Sequence, residues 1–437
     1  MFFDPKKYNK GGSVVKKHLL LMLLVLSLGL AGTIGYTASR ITVIIPRHEM
    51  DLIGIWEEQT HEFEKKTGIQ VELIQMSWDE VADKVLTDLA AGGRSYDVIE
   101  FDNGWVAKFA AADWLEPLNK IAPKEYVDSL LPGLVDTFTR KGQLLGIPWN
   151  NDTRFFFYNK SMLAKAGFST PPRTWEEVVT QARKLKQMGI CEYPIAEYWN
   201  QEWALANSVA FYLYSFGGNY FEDGKITIDQ SPALDSIKFM VDLLNKEKIV
   251  NPSSTVMSQE AAADLFYRGS SAFFFQGPPS TFNYVNDPKL SKVVGQVEAA
   301  PWLPGKTASL QATLTLPEAF AIPKNSRNKD LAWKYIEFMI SKEKDKERAL
   351  KIGSLPLFSD LYDDGQLLKL YPYWEQFGQQ SLVAKPLPQV EWYDELVQKT
   401  IVSIQETLLG FKSPQEAASS IGEFMVGRKV DNRQLSR

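Results

Sequence analysis

The stretch ITVIIPRHEMDLIGIWEEQTHEFEKKTGIQVELIQMSWDEVADKVLTDLAAGGRSYDVIEF (41–101) decides the fold class. ITVII (41–45) is a short apolar run of strand length. Leu52, Ile53, Trp56 and Phe63 then fall on one helical face, with Glu57, Glu58 and Glu62 elsewhere. Gly68 closes that helix, because glycine readily takes the left-handed cap conformation. Ile69, Val71 and Leu73 alternate with polar neighbours as a strand does. Ser77 and Glu80 stand three apart before Val81, Val85 and Leu89, the spacing of a capping box at a helix start. Gly92-Gly93 ends this second helix, and DVIEF (97–101) is a third strand. Strand, helix, strand, helix, strand predicts an α/β protein with a parallel sheet and helices on its faces.

The same chemistry recurs along the chain. FFFYN (155–159) and SAFFFQG (271–277) are strand candidates, the second running into a Gly-Pro-Pro turn. Thr174 and Glu177 cap a helix carrying Trp175, Val178, Ala182, Leu185 and Met188, closed by Gly189. A long helix is expected from Pro232 to Lys246, and Ser413-Pro414 with Glu416 starts a last one. With no short internal repeat and no low-complexity linker, the pattern predicts two α/β lobes.

The N-terminus reads differently. Lys6, Lys7, Lys10, Lys16 and Lys17 precede an apolar run from Leu19, and no charge follows until Arg40. A basic start, an apolar middle and small residues describe a secretory signal cleaved after Ser39. An uncleaved membrane anchor is the alternative, since about 20 apolar residues can span a bilayer. No cysteine follows the run, so a thioether lipid anchor is not expected.

Composition narrows the function. The 437 residues hold 48 Lys and Arg against 53 Asp and Glu, a net charge of -5, which disfavours nucleic acid as a partner. Cys191 is the only cysteine, so an intrachain disulfide and a multi-cysteine zinc site are both excluded. There is no GxSxG, HExxH, P-loop or GxGxxG motif. The paired carboxylates of a glycosidase are spatial and leave no such signature.

Read in order, several segments resemble the sugar-type solute-binding proteins of ABC importers, in particular the maltose- and trehalose-binding ones. FEKKTGIQVEL (63–73) is similar to their FEKxTGIKV segment. AAGGRSYDVIEFDNGWVAKFAAADWLEPL (90–118) and GIPWNNDTRFFFYNKSMLAKAGFSTPPRTWEEV (146–178) resemble two further signatures. FFFQGPP (273–279), AFAIPKNSRNKDLAWKYIEFM (319–339) and GSLP (353–356) follow in the same order. The resemblance implies a two-lobed periplasmic-binding-protein fold with a ligand cleft between lobes. One lobe is expected from 40–150 plus 318–356, and the other from 153–312 plus 363–437. Crossings are expected near 150–153, 312–317 and 356–363, after the segment 1–39. It further implies a monomeric periplasmic or cell-surface receptor that binds a sugar and meets the permease subunits of an importer. No cofactor, metal or catalytic residue is implied. A polyamine, a phosphate ester or a metal chelate is the alternative solute.

A sugar site needs carboxylates and amides for hydroxyls and aromatic planes for ring faces. His48 and Glu49 follow the first strand, and Phe101, Asp102 and Trp105 stand at the end of the third. Asp102 equally suits a helix cap. Trp149, Asn150 and Asp152 lie at the first crossing, and Asp152 matches a sugar-binding Asp of the family. Trp199 and Trp203 occupy the polar, aromatic stretch YWNQEW. Gly277 and Pro279 form a turn that lets a ligand approach backbone closely. Glu318 and Lys385 match family contact positions. At the latter, Lys replaces an Arg and loses its bidentate fork. Trp302 and Trp392 read as packing residues.

Overall fold

The computed structural model describes residues 39–48 and 50–430. Glu49 and the N-terminal basic and apolar segment lie outside the described residues. Strand β1 (Arg40–Pro46) is buried along most of its length and pairs in parallel with β2 (Gln70–Met76) and with β3 (Val98–Asp102). Helix α1 (Ile55–Thr67) joins β1 to β2, and α2 (Trp78–Ala90) joins β2 to β3. Among the described residues, no helix is long and apolar enough to cross a membrane.

The caps explain these boundaries. Gly68 sits at φ 73 and its amide donates to Glu64, ending α1. Ser77 and Glu80 satisfy each other's backbone amides in a complete capping box. The start of α1 differs from the periodic reading. Gly54 is left-handed at φ 75, and the Asp51 carboxylate accepts from the amides of Ile55 and Trp56 at 2.8 and 3.1 Å. Leu52 and Ile53 therefore precede the helix and are exposed, at 45% and 53%. The apparent helical face was a coincidence of spacing across a turn.

The chain adds β4 (Ile147–Pro148) to this first sheet and then leaves it. Next come β5 (Phe155–Asn159), helix α3 (Trp175–Gln187) capped by Thr174, and helix α4 (Trp203–Ser215). The helix expected from Pro232 runs Ala233–Val241 and continues as a π-turn over Asp242–Lys246. Strands β6 (Phe273–Gly277) and β7 (Val297–Ala299) flank β5, both antiparallel to it. This second sheet is thus antiparallel. The chain then returns, and β8 (Glu318–Ala321) enters the first sheet, which has the order β2-β1-β3-β8-β4. Strand β8 runs antiparallel to both its neighbours. Within this first sheet, the parallel arrangement expected from the sequence is confined to β1, β2 and β3.

Two of the connecting segments lie side by side. The Trp149 amide donates to the Glu318 carbonyl at 3.0 Å, Leu316 to Asp152 at 2.8 Å and Arg154 to Leu314 at 2.9 Å. Residues 149–154 and 314–318 therefore form a hydrogen-bonded ribbon from one sheet to the other. Tyr362 reaches the same place, its hydroxyl accepting from the Asn151 amide at 3.2 Å.

Candidate ligand cleft

The carboxyl ends of β1, β2 and β3 open on a cavity of about 640 Å³ whose far wall is the start of α4 and Arg154. Loops converge there because parallel strands all end on one side, the usual place for a ligand in such sheets. Strand β1 delivers Arg47 and His48, β2 delivers Gln75, Ser77 and Trp78, β3 delivers Asp102, and β8 delivers Glu318. Arg154, just before β5, and Glu202, Trp203 and Asn207, at the start of α4, supply the facing wall.

Three tryptophans shape one corner. Trp78 stacks on Trp105 with ring centroids 5.7 Å apart and planes 10° from parallel. Trp203 meets Trp105 edge-on at 5.5 Å. Trp105 is fully buried behind them, so Trp78 and Trp203 are the surfaces presented to the cavity. The Trp203 amide also points at the Asp79 carboxylate, 3.4 Å away, a contact between the two walls.

Carboxylates dominate the polar lining. Burial raises the Asp79 carboxyl to about 6, opposed by the Trp203 amide and reinforced by Glu202 and Asp83. Burial raises Asp102 further, to about 7, although its carboxylate accepts from the Gly104 amide at 2.6 Å. Asp102 is thus both the cap of the turn Asn103–Trp105 and a cavity-lining group. Glu318 is held at both ends by Asn150, whose side-chain amide donates to its carboxylate and whose carbonyl accepts from its backbone at 2.8 Å.

Of the residues singled out by sequence, the structure brings His48, Asp102, Trp203 and Glu318 together on this cavity. The others lie elsewhere. Phe101 is fully buried, stacked on Phe109 at 5.5 Å, because alternation sends it to the opposite face from Asp102. Trp149 is packed among His48, Trp56 and Phe320. Trp199 is in the core against Tyr212. Gly277 closes the sheet: a Cβ there meets the Phe157 ring at 2.6 Å. Asn150, Asp152 and Pro279 border a void of about 10 Å³, too small for a sugar. The Asp152 carboxylate is engaged by Arg154 at 2.5 Å, and both side chains are at least nine-tenths buried. Lys385 lies above the Tyr214 ring in a different cavity of about 730 Å³. None of the β1–β3 strand ends lines that cavity. Trp302 and Trp392 are anchored by their indole N–H groups to the carbonyls of Pro172 and Lys429, as packing residues are.

Trp78, Asp79 and Arg154 were not anticipated. Trp78 and Asp79 occupy the first turn after a strand end and its capping serine, and that position was the available signal. Arg154 stood two residues beyond Asp152, in the crossing already singled out.

The comparisons agree with this geometry. The sequence matches the bacterial extracellular solute-binding protein family over residues 51–346. A probable ABC transporter-binding protein of Deinococcus radiodurans is 26% identical over 318 residues, covering 71% of this chain and 74% of that one. The structure superposes on maltose-bound T. maritima MalE3 with a TM-score of 0.83 at 28% identity, covering 89% of this chain and 99% of the other. A Thermotoga lettingae ABC transporter solute-binding protein bound with α-D-tagatose gives 0.78 at 27% identity, covering 88% and 98%. With the family matched over most of the chain and its two-lobed fold in place, this protein belongs to the bacterial extracellular solute-binding proteins.

Proposed function

We propose that the protein is an extracytoplasmic receptor that captures a sugar or sugar alcohol in the cleft and passes it to the permease of an ABC importer. The observation that carries this reading is the cavity itself. It combines the indoles of half-buried Trp78 and buried Trp203 in its lining with carboxylates and amides, the pairing that a ring with many hydroxyls requires. The similarity to maltose- and tagatose-bound proteins supports it. The family is extracellular, which agrees with residues 1–39 acting as a secretory signal or an anchor. The receptor acts as a monomer, and the ribbon of residues 149–154 and 314–318 is its hinge.

A thermal-shift screen of the full chain against maltose, trehalose, tagatose and mannitol tests the class. A true ligand raises the melting temperature by mass action. For that ligand, Trp78→Ala is expected to weaken binding by about tenfold, or ~1.4 kcal/mol, in calorimetric titration. No stabilising sugar, or an unchanged affinity in the variant, rejects the reading. Closure around the ligand should also shrink the radius of gyration in X-ray scattering, because only a closed form contacts it from both walls. An identical curve at saturation rejects the hinge.

The lining favours one second reading. Asp51, Glu57, Asp79, Glu80, Asp102, Glu202, Glu260 and Glu318 face only Arg47 and Arg154 among the strong bases. That excess suits a solute with a basic nitrogen, so glucosamine and spermidine belong in the same screen.

A further inference from the structure

Sequence reading gave no metal site, yet the sheet assembles one set of donors that no local motif announces. His48 follows β1, Glu100 lies within β3 and Glu318 opens β8, and these strands are consecutive in the sheet. One ring nitrogen of His48 and one carboxylate oxygen of each glutamate all lie within 4.8 Å of one another. His48 Nε2 is 2.9 Å from Glu100. The three residues are 8%, 0% and 8% exposed, so this is not a solvated acidic patch. His48 and Glu318 nevertheless line the cleft, which leaves an approach from its interior.

The donors are held from behind. The His48 ring packs edge-on against Trp149 at 4.7 Å, and Trp149 against Trp56 at 4.6 Å. Asn150 grips Glu318 at side chain and backbone. Such supports fix ligand orientation in metal sites. Bonds of about 2.0–2.2 Å to such donors need only a small inward shift of the three side chains.

We propose that His48, Glu100 and Glu318 bind one divalent transition cation of the zinc or manganese type on the cleft wall, with its remaining positions facing the cavity. One nitrogen and two oxygens suit these ions better than magnesium, which prefers oxygen and water. The site depends on no particular solute, so it stands or falls separately from the sugar reading.

The test uses the full chain, stripped with a chelator, dialysed and titrated calorimetrically with zinc chloride or manganese chloride. Saturable binding of one equivalent is expected for at least one of the two, with a far weaker response to magnesium. Glu318→Gln, which keeps the side chain's shape, and His48→Asn are each expected to weaken it by at least roughly tenfold. Glu202→Gln, on the same cavity, and His61→Ala, an exposed histidine, should leave it unchanged. Cobalt in the site should give visible ligand-field bands that His48→Asn alters. If a variant folds poorly, the wild-type spectrum still tests the site, because bands no stronger than those of hexaaqua cobalt overturn the proposal. Absence of saturable binding by either ion overturns the proposal. So does equal binding by magnesium, or affinity preserved in both donor variants.

Discussion

Replacing Arg154 by methionine is expected to cost about 3–5 kcal/mol of stability, because it removes the guanidinium paired with the buried Asp152 carboxylate. The pair is 2.5 Å apart with side chains 4% and 2% exposed, at the hydrogen-bonded ribbon where 149–154 runs beside 314–318. A buried charge whose partner is removed keeps its desolvation cost and loses its compensation. Asp152→Asn should be costly for the converse reason. The double variant, Asp152→Asn with Arg154→Met, should recover much of the loss, since no uncompensated charge remains. Urea unfolding of the four proteins gives the cycle. If Arg154→Met costs under about 1 kcal/mol, the pair is solvated in solution and the argument is wrong. Arg154 also lines the cleft, so affinity should fall with it. An effect of Asp152 substitutions on binding is then expected through the release of Arg154 and not through lost contact with a solute.

The second large effect is a pH dependence carried by Glu197. Burial pushes this carboxyl up to about 8, against hydrogen bonds from Tyr212 at 2.5 Å and Gln276 at 3.4 Å. In the unfolded chain it titrates near the ordinary glutamate value of about 4.3. Between those values the folded state holds a proton that the unfolded state has released. Stability therefore falls as pH rises, by up to about 1.4 kcal/mol per unit for this one group, and levels off above about pH 8. Glu197→Gln is neutral and close in shape, so it removes that slope. Denaturant unfolding at about pH 5, 7 and 9 should show the variant gaining on the wild type as pH rises. A constant difference across the range means that Glu197 titrates normally in the folded protein.

How far the sequence foretold these features depends on the range of the interaction. The first strands and helices were legible because alternation, the Ser77–Glu80 box and Gly68 are local signals. Leu52 and Ile53 misled because periodicity carries no information about a left-handed Gly54 between them and the helix. The antiparallel entry of β8 was invisible, since its partner β3 lies far earlier in the chain. The same holds for the site. Asp102 and Glu318 could be placed at strand ends. The two-residue period of a strand sends Phe101 and Asp102 to opposite faces, which puts Phe101 in the core while Asp102 lines the cavity. Trp149 and Trp199 sit in segments without a clear period, where an aromatic bound for the core looks the same as one bound for a ligand. The Arg154–Asp152 pair and the His48, Glu100 and Glu318 cluster need the tertiary fold to be seen.

The late arrival of β8 bears on how the protein comes into being. Strand β3 has β1 on one side and waits for β8 on the other, and β4 reaches the sheet only through β8. Until residue 321 of 437 has been made, β3 keeps an open edge and β4 has no place to dock. The intervening residues include the whole β6-β5-β7 sheet, so the first sheet cannot finish before the second has been synthesised. Pairings this distant in sequence form slowly, because loop closure precedes the contacts that reward it. A nascent chain with that delay stays unfolded for longer, which is the condition in which a polypeptide can be threaded through a narrow pore. The strand order that completes the cleft thereby also lengthens the time for which the newly made chain stays open.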